Sequence, residues 1–239
     1  MNSYEILDAL LNFNTVILIF GTLIGFNYFS TFKSDVYNTI AIYFAICLLF
    51  DLNAIVFSIF LESFIEKYLF IINHINLLIE LLIFGFLFVF QYKFNKKIIN
   101  VLKVLILFGF FVFLIDIMLF LRGEKISILG IYTSFLISTM SISFMIQILT
   151  LKKIPSIRNI YLMMILIVYF SISTIFNITQ NIIVNYEIND VNIMYFYISS
   201  SLFTVYFFGG LALWLFYFGN LKTSKLKMIN KFIRLKQRN

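Results

Sequence analysis

The chain has 239 residues, 62% of them hydrophobic and 12% charged, with a formal net charge of +7, one cysteine and one proline. A soluble domain carries about 25% charged and about 45–50% apolar residues, so no single soluble core encloses this much apolar surface and lipid must cover it. The positive balance does not point to nucleic acid, because the cations form no large basic face, and the lone Cys47 leaves no intramolecular disulfide to place.

The apolar runs are continuous rather than alternating. That selects helices over a barrel, the two structures that satisfy the backbone in lipid. Crossing a bilayer takes about 20 residues. Seven runs reach that length and predict helices at 10–30, 37–58, 68–91, 104–121, 127–150, 159–181 and 193–219. The short connections make sequence neighbours antiparallel. The expected fold is all-α: a polytopic membrane protein, a seven-transmembrane-helix bundle forming one domain over 1–220, followed by a tail over 221–239.

Ahead of the first helix stand Glu5 and Asp8 and no basic residue, so the first run reads as a retained membrane helix rather than a cleaved signal peptide. The second helix holds Cys47, read as a small buried hydrophobe, and Asp51. In the third, Asn73, Asn76 and Glu80 are three and four residues apart and share one stripe. His74 is rotated about 100° from Asn73. The fourth carries Asp116 and ends at Arg122; the fifth carries several serines and Gln147. The sixth ends in Asn177, Gln180 and Asn181. The seventh opens with Ser199, Ser200, Ser201 and Thr204, and includes Gly209, Gly210 and Trp214. Tyrosines such as Tyr28, Tyr37, Tyr68, Tyr92, Tyr161 and Tyr195 fall near helix ends, where interfacial belts place them. Trp214 reads the same way.

The cations give the orientation. Fifteen of the 18 fall on alternate connections and the tail: Lys33; Lys93, Lys96, Lys97 and Lys103; Lys152, Lys153 and Arg158; and Lys222, Lys225, Lys227, Lys231, Arg234, Lys236 and Arg238. Only Lys67, Arg122 and Lys125 fall on the other side, beside Glu62, Glu66, Glu124, Glu187 and Asp190. Basic residues stay cytoplasmic, so the expectation is an N-terminus outside and a C-terminus in the cytoplasm. The tail mixes its cations with Leu221, Leu226, Ile229, Phe232, Ile233 and Leu235. It reads as an amphipathic segment on anionic lipid of the inner leaflet, each cation contributing about 1 kcal/mol.

Ionisable groups within a bilayer are costly and mark candidate sites. With this topology Asp51, His74 and Asp116 lie toward the outside and Glu80 near the middle, at the level of the polar end of the sixth helix. We therefore expect an outward-facing polar cavity for a ligand or ion, formed by Asp51, His74, Asn76, Glu80, Asp116, Asn177 and Gln180. Three carboxylates without a lysine or arginine at matching depth either hold protons or bind a cation, and His74 titrates near neutral pH when paired.

Absences narrow the chemistry. One histidine cannot supply a zinc hydrolase site. No G-x-S-x-G elbow or phosphate-binding loop occurs. Residues 193–219 contain no lysine for a retinal Schiff base, and Pro155, in a connection, leaves the helices without the hinges of seven-helix sugar transporters. The disulfide and helix prolines of G-protein-coupled receptors are missing as well. No catalytic residue, metal or cofactor is expected, and the chain reads as a non-enzyme.

The segment from His74 to Phe84, with Asn76 and Glu80 four apart and a lysine-rich turn after it, resembles a pattern of small seven-helix proteins from AT-rich Gram-negative bacteria. Val168-Tyr169-Phe170-Ser171 is similar to the same group. The resemblance implies a seven-helix bundle in a bacterial inner membrane and brings no activity with it. The expected function is a sensor or receptor-like module signalling to a protein partner or a second copy of the chain. The alternatives are a small proton- or cation-coupled transporter or channel and a structural subunit of a membrane assembly.

Overall fold

The computed structural model describes residues 3–29, 35–60, 65–91, 96–124, 126–150, 157–185 and 190–220. They form seven α-helices: α1 (Ser3–Phe29), α2 (Asp35–Phe60), α3 (Ile65–Gln91), α4 (Lys96–Leu121), α5 (Ile128–Thr150), α6 (Ile157–Asn185) and α7 (Asp190–Asn220). All seven are long and apolar enough to cross a membrane, which makes this an all-α, multi-pass membrane protein. The tail cations from Lys222 to Arg238 lie outside the described residues.

Helices of 23 to 31 residues are about 35–46 Å long, against about 30 Å of hydrocarbon. They outrun the apolar stretches: α1 begins at Ser3 and α4 at Lys96, both earlier than hydropathy predicts. Hydropathy marks only the lipid-covered length. The backbone ladder continues through polar flanks, and the stems of Lys96, Lys97 and Lys103 let their charges reach the headgroups.

α2, α3, α5, α6 and α7 form a ring, with α1 packed outside against α2 and α7, and α4 outside against α3 and α5. Gly21 and Gly25, one turn apart, let α1 approach α2 closely. A Cβ on Gly25 would stand 2.8 Å from the Ala41 Cβ, and one on Gly21 would overlap the Phe44 ring. This is small-residue packing, which brings helix backbones together in lipid.

Serines and amides hold α5 to α6. The Ser138 and Ser171 hydroxyls are 2.7 Å apart, and those of Ser134 and Ser173 are 3.1 Å apart. Asn177 donates to Ser134 at 3.1 Å. Asn181 donates to the Ser127 carbonyl at 3.1 Å and accepts the Ser127 N–H at 3.0 Å.

Backbone hydrogen bonds close the end of α4. The Gly123 N–H reaches the Phe120 carbonyl at 2.9 Å and the Glu124 N–H reaches that of Leu119 at 3.1 Å, the paired bonds of a Schellman cap. Gly123 holds φ at 92°, which a residue without Cβ adopts freely.

Within the ring the core is aromatic. Tyr43 (α2), Phe84 (α3), Phe170 (α6), and Phe207 and Phe208 (α7) make a closed circuit. Successive centroids are 4.9, 5.3, 5.6, 5.3 and 5.9 Å apart, within the usual range for offset and edge contacts.

Candidate functional site

Glu80 enters this core one turn before Phe84. It is about 18 Å from the start of the α3 span at Tyr68 and about 14 Å from its end at Val89, so its carboxyl lies at mid-membrane depth. The Tyr43 hydroxyl donates to its Oε1 at 2.5 Å. Cys47 and Asp51 follow Tyr43 at successive turns of α2. Across the axis, the Tyr169 ring of α6 stacks on Phe207 of the aromatic circuit, with centroids 3.7 Å apart. The titratable groups around Glu80 are thus Tyr43 and Cys47 from α2 and Tyr169 from α6. Among the described residues Glu80 has no cationic partner.

Beyond Glu80, toward the face that carries Lys96, Lys97 and Arg158, the described positions of α3, α6 and α7 are mostly apolar, while Ser141 of α5 and the Tyr37 hydroxyl and Asn38 Oδ1 of α2 are buried polar groups. Phe84, Leu87 and Phe88 of α3 are fully buried, as are Leu162 and Leu166 of α6 and Leu211 and Leu215 of α7. The aromatic circuit lies at the start of this apolar zone.

The other expected residues occupy separate places. Asp116 is completely enclosed, and its carboxylate caps α5: Oδ1 accepts the Ile128 N–H at 3.0 Å and Oδ2 accepts the Leu129 N–H at 2.8 Å. The Ser127 hydroxyl takes the Gly130 N–H at 3.3 Å. Three donors at the start of α5 are thereby satisfied. His74 donates through Nδ1 to the Phe70 carbonyl at 2.8 Å, and its ring stacks on Phe70, which stacks in turn on Phe120. Its Nε2 stands 3.2 Å from the Asp116 Oδ2. That separation fits an ion pair, but the alignment is not that of a hydrogen bond.

Asp51, half-buried, accepts from Thr15 of α1 at 2.5 Å. Asn76 lies one turn before Glu80, with its Oδ1 buried and unpartnered among the described residues. Asn177 is engaged in the α5–α6 seam, and Gln180 is exposed on α6. The fold therefore brings His74 to Asp116 and Asn76 onto the Glu80 stripe. It sets Asp51, Asn177 and Gln180 apart from both. Residue spacing singles out neither Tyr43 nor Thr15, the partners of Glu80 and Asp51. The one available signal is the depth of Tyr43, well inside its helix and away from the interfacial belt.

Two open grooves lie between α6 and α7. One, of about 280 Å³, is floored by Tyr169, Phe203 and Phe207. The other, of about 720 Å³, runs from Ile157 to Ile165 on α6 and from Gly210 to Tyr217 on α7. None of the seven expected cavity residues lines either groove.

Seven apolar helices of this length define the class, a multi-pass membrane protein. No protein-family model matches the chain, and no curated protein and no solved structure is similar to it.

Proposed function

We propose that this chain is a sensor or receptor-like module of a bacterial inner membrane, with its N-terminus outside and its C-terminus cytoplasmic. The distribution of cations supports that orientation. Protonation or cation binding at the Glu80–Tyr43 couple resets the packing of α2 against α3. A protein partner, or a second copy of the chain, reads the change at the basic face. The chain is not an enzyme in this reading.

One observation carries the proposal. Glu80 is a mid-membrane carboxyl with a single side-chain hydrogen bond and no cation beside it among the described residues, above an interior closed by apolar side chains. A group so placed changes its bonding when its charge changes. The mostly apolar lining that α3, α6 and α7 present beneath it favours this reading over a transporter, which needs a polar path onward. Asp116, by contrast, is accounted for by the helix it caps.

α2 also supplies the lever. Tyr37 lies six residues before Tyr43, about 9 Å along the helix, and stacks on Trp214 with centroids 6.1 Å apart. Trp214 is the only tryptophan, so its emission reports on the basic end of the bundle. In liposomes, Trp214 emission is expected to shift between about pH 4 and pH 9, a window that spans the unperturbed carboxyl and imidazole ranges, and Glu80→Gln is expected to abolish the shift. A flat wild-type profile, or a shift that survives Glu80→Gln, overturns the reading. Proton flux above empty liposomes that Glu80→Gln removes would favour the transporter instead.

A further inference from the structure

We infer that His74 and Asp116 form a proton-binding site of their own, in which the His74 ring is held as an imidazolium paired with the Asp116 carboxylate. This site is separate from the Glu80–Tyr43 couple and does not depend on it.

The Nδ1 of His74 stands 2.8 Å from the Phe70 carbonyl oxygen. A carbonyl can only accept, so Nδ1 carries a hydrogen. A neutral ring has one N–H, so in that state Nε2 bears a lone pair. Nε2 is 3.2 Å from the Asp116 Oδ2. The same carboxylate accepts the Ile128 and Leu129 N–H groups at 3.0 and 2.8 Å. Two backbone donors match an ionised carboxylate, which leaves a neutral His74 with its lone pair against an anion. A second proton on the ring replaces that repulsion with an ion pair, which needs proximity rather than alignment. His74 is 3% exposed and Asp116 is fully enclosed, so little water screens the contact. Loss of the proton turns attraction into repulsion where α3, α4 and the start of α5 meet.

The other contacts of the ring suit a cation. Its face stacks on Phe70 with centroids 3.9 Å apart, and Phe70 stacks on Phe120 of α4 at 4.0 Å. Aromatic faces attract cations at such distances. α3 packs against α2, α4 and α5, and their remaining titratable groups are engaged or distant. On α2, Tyr43 donates to Glu80, Asp51 accepts from Thr15, and Cys47 is buried. On α3 itself, Tyr68 and Glu80 each lie six residues from His74, about 9 Å along the axis. Arg122, six residues past Asp116, and Glu124 are exposed. On α5, Tyr132 donates to the Leu105 carbonyl. Among the described residues Asp116 is the one carboxylate that stands against His74.

His74 is the only histidine, so histidine-specific isotope labelling gives one pair of ring nitrogens. The full-length protein is reconstituted in phosphatidylcholine liposomes. Its nitrogen NMR spectrum is recorded from about pH 4 to pH 10, which spans the ordinary carboxyl and imidazole ranges. The expected low-pH form carries hydrogens on both nitrogens. The form that succeeds it keeps the Nδ1 hydrogen and lacks the one on Nε2. Asp116→Asn removes the anion, so the second proton is held about tenfold more weakly or worse, and the step moves to lower pH. Glu80→Gln leaves the step in place. A ring neutral throughout overturns the proposal, as does a neutral form with its hydrogen on Nε2. So does a step that Asp116→Asn leaves at the wild-type pH, or that Glu80→Gln moves as far. A wild type doubly protonated up to pH 10 requires Asp116→Asn to bring the step into range, and its absence from both proteins overturns the proposal. If Asp116→Asn fails to fold, the protonation state and tautomer of the wild type decide.

Discussion

Asp116 of α4 accepts the backbone N–H of Leu129 at 2.8 Å, so a carboxylate near the end of one helix caps the start of the next. Removing it leaves enclosed amides without an acceptor, at about 1–3 kcal/mol for an unmade buried bond. Asp116→Ala is expected to lower stability by at least that amount, and Asp116→Asn, which keeps one acceptor oxygen, by less. His74→Phe keeps the stack on Phe70 but removes one partner of a buried pair, which costs up to about 3–5 kcal/mol. Thermal unfolding in detergent, followed by circular dichroism, measures all three. A stable Asp116→Ala protein would remove the capping role.

The Tyr43–Glu80 bond invites a double-mutant cycle. Hydrogen bonds between membrane helices average about 0.6 kcal/mol and reach about 1.7. With the short contact and the burial of Tyr43, the coupling between Tyr43→Phe and Glu80→Leu, each of which removes the bond, is expected toward the upper end. Each single variant should stay folded, because leucine adds no polar group to the core and a phenyl ring still fills the aromatic circuit. Additive effects would mean that the bond contributes nothing to folding.

At the α1–α2 contact, Gly25→Ala puts a methyl 2.8 Å from the Ala41 Cβ. Overpacking of this kind costs about 1–3 kcal/mol. The reciprocal change, Ala41→Gly, should recover much of the loss in the double variant, as read from unfolding in mixed micelles. If the double variant is no better than Gly25→Ala alone, the two helices do not meet at these positions.

The seam between α5 and α6 offers a test with a small expected signal. Ser138→Ala deletes the 2.7 Å contact with Ser171 and should cost about 0.6 kcal/mol. Asn177→Ala removes the bond to Ser134 and should cost more, because the Ser134–Ser173 pair then lacks its amide. Unfolding in mixed micelles ranks the two, and a reversed order would show that the serine pair carries the seam.

Much of the fold was legible in the sequence because a bilayer imposes a coarse rule. Seven continuous apolar runs give seven helices, because a barrel, the other structure that satisfies the backbone, needs alternating runs. Helix ends were less legible, since Ser3 and Lys96 continue ladders that hydropathy does not register. The candidate site was legible only in its members. Depth gives Glu80, His74 and Asp116 a level along their own helices, but depth says nothing of rotation. Whether Asp116 faces a cavity or the end of α5 depends on a turn of six residues, with Gly123 and Ser127 as its marks. The two glycines of α1, four apart, were a readable signal of close packing that hydropathy alone passes over. Tyr37 and Trp214, read as interfacial, are buried against each other because α7 runs long enough to bring Trp214 beneath the start of α6.

The cap at Asp116 also bears on how the protein reaches its membrane. A carboxylate in an inserting helix is costly, up to about 2.5–3.5 kcal/mol at the centre and less toward an end such as that of Asp116, and the amides that it caps are not in α4. They belong to Ile128 and Leu129, which emerge from the ribosome only later. α4 is therefore poorly suited to leaving the translocon alone. Insertion of α4 and α5 together, as a hairpin joined through the Asp116 cap, is the expected consequence.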